Sequence, residues 1–270
     1  MPLPQSNTLT NSTIAITGAS SGIGVEIARN LAARGYSVTL IARRKERLEE
    51  LAKELESSHG VKADVIAADM ADPAARAELV AKLEADPAEL IGFVNNAGLG
   101  VHGAFVKADA DKERQMVEVN IDAVHDLAIR VLPGMVERGR GALLNTASTA
   151  SAQPVPYMAT YAATKAFVIS FSEAVAVELS GSGVSVTALC PGPVKTEFAA
   201  VAGSESFEDN APGMTFVSPE DVAKQAVEAM IRGDRTITPG IANKISRVAG
   251  RIAPRGIVMK VAADLTGYKK

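Results

Sequence analysis

Tryptophan is absent from this 270-residue chain, cysteine occurs once, and the aromatic residues together make up 4%. The lone Cys190 rules out an intramolecular disulfide and suits a reducing cytoplasm, so a cytoplasmic location is expected. No histidine lies close to it in sequence, and a buried thiol at a strand end is expected there rather than a nucleophile. The three histidines, His59, His102 and His125, are scattered without an i, i+4 pair, so no metal site is expected. Long apolar runs are missing as well. The longest uncharged stretch, 141–164, is rich in Ser, Thr, Asn, Gln and Pro and cannot span a bilayer. The first residues lack a cationic patch followed by an apolar stretch, so no signal peptide is read. Nor is there a basic excess: the formal net charge of −3 argues against a general nucleic-acid binder, which needs a concentration of Lys and Arg to meet phosphates.

The chain has 47% hydrophobic residues and no long Pro, Gly or Ser linker, enough for one large core in one domain. Short β-branched or apolar runs at 13–17, 37–41, 63–67, 91–95, 142–146 and 184–190 alternate with helix-period stretches at 45–57, 74–85, 112–137 and 157–179. Strands this apolar are buried on both faces, which predicts a doubly wound α/β fold with a parallel sheet between helix layers. Asp72-Pro73 and Ser218-Pro219 each place a capping side chain before a proline at the first helical position.

The turn Thr17-Gly18-Ala19-Ser20-Ser21-Gly22-Ile23-Gly24 follows the first strand and opens a helix. Glycine there lets the backbone turn tightly and lets phosphate oxygens approach the helix N-terminus, as a dinucleotide requires. Further along come Asn95-Asn96-Ala97-Gly98, Asn120, Ser148, Tyr161-Ala-Ala-Thr-Lys165 and Pro191-Gly192. In this order, from about residue 12 to about residue 235, the set resembles the main branch of the short-chain dehydrogenase/reductase superfamily. The resemblance implies a single Rossmann-type domain and reversible hydride transfer between a nicotinamide dinucleotide and a ketone, aldehyde or secondary alcohol.

By that resemblance Tyr161 is the acid/base on the substrate oxygen, Lys165 lowers its pKa and holds the nicotinamide ribose, and Ser148 hydrogen-bonds the carbonyl. Asn120 matches the asparagine that supports a proton-relay water. Four residues apart on a helix, Tyr161 and Lys165 share a face, and an ammonium within about 4–6 Å favours an ionised phenol. Gly18, Ser20, Ser21, Gly22, Ile23 and Gly24 are expected at the pyrophosphate, Asp69 and Met70 at the adenine, and Asn95, Ala97 and Gly98 at the adenosine ribose. For Asn95 and Asn96 a capping role at the strand end is the alternative. Pro191, Gly192, Val194 and Thr196 match the turn under the nicotinamide. The second strand ends Ile41-Ala42-Arg43-Arg44, with alanine where a carboxylate would bind a ribose 2′-hydroxyl, so Arg43 and Arg44 favour NADP(H) over NAD(H).

A substrate lid is expected over 197–217, carrying Phe198, Phe207, Met214 and Phe216, with Gln153, Val155 and Tyr157 as the opposite wall and a small hydrophobic carbonyl or alcohol as substrate. His102 could line that cleft; the alternative is a loop residue without a role. The catalytic domain is set at 1–240. Residues 241–270 hold seven cations against Asp264 alone, a net of +6 against −9 for the remainder. This basic segment either packs on its own domain or a dimer mate, or contacts a partner or an anionic membrane surface. The stripe Phe167, Phe171, Val175 and Leu179 serves core or interface, and the resemblance implies a homodimer or homotetramer. Two other functions compete: a nucleotide-binding regulator without turnover, and an enoyl reductase on the same fold, which the four-residue Tyr–Lys spacing disfavours.

Overall fold

The computed structural model describes Leu3, 11–204 and 212–266. Seven parallel strands form one sheet in the order β3-β2-β1-β4-β5-β6-β7. The strands are β1 (Ser12–Thr17), β2 (Val38–Ala42), β3 (Ala63–Ala67), β4 (Glu89–Asn95), β5 (Gly141–Thr146), β6 (Val184–Leu189) and β7 (Thr236–Ile237). Side chains alternate between two cores because successive residues of a strand point to opposite faces. Ile14, Ile16, Leu40, Val94 and Leu144 enter one core, while Ala15, Ile41, Phe93 and Leu143 enter the other. The first is covered by α1 (Gly22–Ala32), α2 (Lys45–His59) and, later in the chain, Pro219–Arg232. On the second face lie α3 (Pro73–Ala85), α4 (Ala110–Val117), α5 (Ala123–Glu137) and α6 (Ala159–Glu178).

The chain leaves β1 for β2 on one side and returns to β4 on the other, so the carboxyl ends of β1 and β4 flank a crevice where ligands bind in such sheets. Asp72 accepts a bond from the Ala74 amide at 2.8 Å, and Ser218 accepts one from Asp221 at 3.1 Å, each capping a helix that starts on proline. The single helix expected over 112–137 is interrupted: Glu118–Asp122 form a π turn between α4 and α5. Such a turn adds one residue and re-aims the side chains it carries, here Asn120. β7 escaped the sequence reading, since two residues leave no periodicity to detect.

After β6 come α7 (Glu197–Ala202), α8 (Pro219–Arg232), β7, α9 (Ile241–Ile252) and α10 (Arg255–Leu265). Arg247 of α9 reaches Glu173 of α6 at 3.3 Å, and the same carboxylate oxygen accepts from Thr236 of β7 at 3.1 Å. Phe171, Val175 and Leu179 pack against the second core and Phe167 stacks on Phe171 at 5.7 Å, so the α6 stripe serves the core of this chain. No helix among the described residues is long and apolar enough to cross a membrane.

Candidate active site

At the β1 carboxyl end Gly18 takes a φ of 69°, and a Cβ there would lie 2.9 Å from the Ala97 Cα. The N-cap of α1, Ser21, makes no side-chain capping bond, so the first amides of the helix are left to another acceptor. An unsatisfied helix N-terminus behind a glycine turn suits an anionic phosphate. Gly24 differs from its neighbours. A Cβ on it would sit 2.3 Å from the Gly18 carbonyl oxygen, so this glycine exists for close helix–turn packing and does not line the cavity.

A cavity of about 520 Å3 opens over this turn. It brings together Gly18, Ser20, Ser21, Gly22 and Ile23 with Arg43 and Arg44 beyond β2, and with Asp69 and Met70 beyond β3. Ala97 and Gly98 beyond β4, Ser148 beyond β5, Tyr161 and Lys165 of α6, and Pro191, Gly192, Val194 and Thr196 beyond β6 complete its frame. Asn95 is not there. It is buried behind the strand end, donating to Asn145 at 2.9 Å, while its neighbour Asn96 faces the cavity and donates to the Thr17 carbonyl at 3.2 Å. Strand alternation sends the adjacent asparagines to opposite sides.

Asn120 also lies outside the lining. Its Oδ1 accepts from the Leu99 amide at 2.9 Å, and its Nδ2 donates to the Leu99 carbonyl at 2.9 Å and to Thr164 Oγ1 at 3.0 Å. Thr164 in turn donates to the Tyr161 carbonyl at 2.8 Å. Asn120 thus ties the loop after β4 to α6.

Ser148 caps a short 3-10 turn, accepting from the Ala150 amide at 3.1 Å, which leaves its own hydroxyl proton free to donate. Tyr161 is hydrogen-bonded to Ser148. Lys165 donates to the Thr146 carbonyl at 2.8 Å and lies 5.8 Å from the centroid of the Tyr161 ring. Burial pushes the Tyr161 phenol above its usual value, with the Ser148 bond pulling the other way. Burial likewise draws the Lys165 ammonium down to about 8. Both groups are withdrawn from water, and this burial sets the direction of each shift. Cys190, just behind, is fully buried with its thiol pushed up to about 11, an inert strand-end residue as expected.

Phe198 of α7 packs its ring 5.6 Å from that of Tyr161. Gln153, Val155 and Met158 line the facing side, whereas Tyr157 does not. Met214 is exposed and Phe216 lies under Lys195, and the expected lid residue Phe207 falls outside the described residues. His102 turns away from the cleft and bonds the Thr266 carbonyl at 3.1 Å. Asn243 and Ser246 of α9 and Ala262 and Leu265 of α10 are among the lining residues that the sequence did not place at the site. Asn243 donates to the Thr215 and Pro239 carbonyls, both at 2.9 Å, and its side chain lies against Gly192.

The short chain dehydrogenase family model matches residues 12–206, a span that includes the glycine turn and the Ser148, Tyr161 and Lys165 cluster. The chain belongs to the short-chain dehydrogenase family. Relatives of this short-chain dehydrogenase include the ketoacyl reductase HetN of Nostoc sp., 31% identical over 93% of this chain and 88% of that protein. The sulfoacetaldehyde reductase of Chromohalobacter salexigens is 36% identical over 78% of this chain and 84% of that one. Among solved structures, a short-chain dehydrogenase from Sphingobium yanoikuyae in complex with NADPH superposes with a TM-score of 0.78 at 33% identity, covering 88% and 92% of the two chains. As a member of this family the protein is an oxidoreductase whose fold binds a nicotinamide cofactor and acts on carbonyl or alcohol substrates.

Proposed function

We propose that this short-chain dehydrogenase is an NADPH-dependent reductase of uncharged hydrophobic ketones or aldehydes, acting reversibly on the corresponding alcohols. The observation that carries this reading is the meeting of Ser148, Tyr161 and Lys165 in a cavity whose other end is framed by Arg43 and Arg44. The free amides at the start of α1 and the glycine cradle fit a pyrophosphate, and a bound reduced dinucleotide supplies the hydride. Ser148 donates its hydroxyl proton to the substrate oxygen and orients the carbonyl. Tyr161, whose phenol burial pushes above its usual value, passes its phenolic proton to that oxygen as negative charge develops there. Lys165, anchored on the Thr146 carbonyl, faces the same space and stabilises the phenolate left behind.

Cofactor choice rests on Ala42, which ends β2 where a carboxylate would exclude a 2′-phosphate, with two guanidiniums following it. Arg44 donates to Ser20 Oγ at 3.2 Å and to Glu197 at 2.9 Å, and Arg43 lies 3.9 Å from Asp69. Arg44 is thus held at the glycine turn and Arg43 beside Asp69 beyond β3, both in the lining of the cavity and suited to bidentate contact with a phosphate.

Val155, Met158, Phe198, Val201, Ala262 and Leu265 supply an apolar substrate end. Apart from Lys165, the charged lining residues among those described are Arg43, Arg44, Asp69 and Glu197, all gathered around the end of β2. Beyond Lys165, which serves Tyr161, a carboxylate or sulfonate on the substrate would find no cation at this end of the cavity among the described residues, which favours a ketoacyl-like or other bulky neutral ketone over a sulfoacetaldehyde. Turnover of NADPH against aliphatic, aromatic, steroid and acyl-thioester ketones tests the reading beside Tyr161→Phe. The variant should keep NADPH binding and lose about 100-fold or more in kcat. No turnover of any ketone, or an unaffected Phe variant, refutes the assignment.

A further inference from the structure

Helices α9 and α10 have two unlike faces. Their inner face closes the cavity through Asn243, Ser246, Ala262 and Leu265. On the outer face of α9, Ile241, Ile245, Val248 and Ile252 are 78%, 65%, 57% and 80% exposed. Spaced four, three and four residues apart, they form one stripe along the helix. Ile257 and Val261 continue it on α10 at 60% and 53%. Six large aliphatic side chains thus stand exposed on two consecutive helices, apolar surface of the kind that marks a contact site.

The charge around this face selects its occupant. Helices α9 and α10 carry five cations against Asp264 alone. Arg247 and Arg251 turn inward to Glu173, at 3.3 and 3.9 Å. Lys244, Arg255 and Lys260 are exposed and form no ion pair among the described residues. By helical spacing Lys244 borders the stripe, where a long cationic side chain can lay its stem along apolar surface and hold its head at the edge.

We propose that the outer face of α9 and α10 seats on an anionic phospholipid surface, with the isoleucines and valines entering the acyl boundary and Lys244, Arg255 and Lys260 meeting the phosphate headgroups. A second copy of the chain is the less favoured occupant, because a twofold contact through this face would bring the same cations against one another. Seated this way, the bilayer lies directly behind the apolar substrate end of the cavity. The proposal does not depend on the reductase reading, since vesicle binding is measured without turnover.

The test is flotation of the full chain with vesicles of phosphatidylcholine alone and of phosphatidylcholine mixed with phosphatidylglycerol. Flotation is expected with the mixed vesicles, weaker at high salt, and absent with neutral ones. Ile245→Asp with Val248→Asp should abolish it. Arg255→Glu with Lys260→Glu should weaken partitioning at least about 25-fold, from about five-fold per cation lost. These side chains face solvent, so the melting temperature of each variant should match the parent and serves as the folding control. Wild-type protein that stays unbound with anionic vesicles, or variants that bind as well as wild type, overturns the proposal. A dimer that the Ile245→Asp, Val248→Asp variant converts to monomer, without vesicle binding by the parent, assigns the face to a second copy and overturns it equally.

Discussion

Replacing Lys165 by methionine should make the protein more stable while abolishing its activity. The ammonium is 4% exposed and makes one hydrogen bond, to the Thr146 carbonyl at 2.8 Å. Burial takes its pKa from the ordinary 10.5 to about 8. At about 1.4 kcal/mol for each pKa unit, holding the charge in this site costs about 3 kcal/mol at neutral pH. Methionine is of similar length and carries no charge, and it forfeits only the Thr146 bond, worth about 1 kcal/mol. A net gain of about 2 kcal/mol is expected at pH 7, or about 6 °C in melting temperature for a chain of this size.

The pH dependence distinguishes this cause from a general repacking effect. With its folded pKa depressed, Lys165 binds fewer protons in the native state than in the unfolded state between pH 8 and 10.5. Wild-type stability contributed by this group therefore rises with pH across that window, while below pH 8 the penalty is constant. The advantage of Lys165→Met should shrink above pH 8 and vanish by about pH 10. Urea denaturation of both proteins at several pH values measures it. A variant less stable than wild type at pH 7, or a difference that does not narrow between pH 8 and 10, would refute the argument. Retention of so costly a group at the centre of the cavity is what a functional lysine, rather than a structural one, would show.

Two further outcomes follow from the geometry at the other end of the cavity. Gly24→Ala sets a Cβ 2.3 Å from the Gly18 carbonyl oxygen, which is backbone, and 2.6 Å from the Asn96 side-chain amide, so a loss of about 3 kcal/mol and of NADPH binding is expected by melting and fluorescence titration. A loss below 1 kcal/mol would show that the turn relaxes. Arg43→Ala with Arg44→Ala should lower the NADPH-to-NADH ratio of kcat/KM about 10- to 100-fold, since charge-assisted bonds to the 2′-phosphate disappear. An unchanged ratio would place cofactor selection elsewhere.

The residues legible in advance were those whose position follows from local pattern. The Tyr161–Lys165 step lies within one helix, the glycine turn lies between adjacent elements, and the Asp72 and Ser218 caps act two or three residues away. The alternation of strands and helices predicted a doubly wound sheet because each strand's side chains had to be buried twice over. Long-range placement was not legible. Asn95 and Asn96 are neighbours with the same chemistry, and only the direction of the β4 terminus sends one to Asn145 and the other to the cavity. Asn120 could be singled out by its type, but the bonds that its side chain makes from the π turn to Leu99 and Thr164 could not be read in advance.

The segment after residue 240 shows the same division from the other side. Its charge and its apolar spacing could be counted in the sequence, but that its inner face would close the cavity through Asn243 and Leu265 could not, because no local pattern connects it to Tyr161 some eighty residues earlier. The sequence by itself determined the fold, the glycine turn and the Tyr161–Lys165 pair, each specified by short-range spacing. The tertiary structure alone decided the electrostatics and the enclosure: it withdrew Tyr161 and Lys165 from water, which raised one pKa and lowered the other. It also assembled the substrate wall from helices that meet only once the sheet has formed.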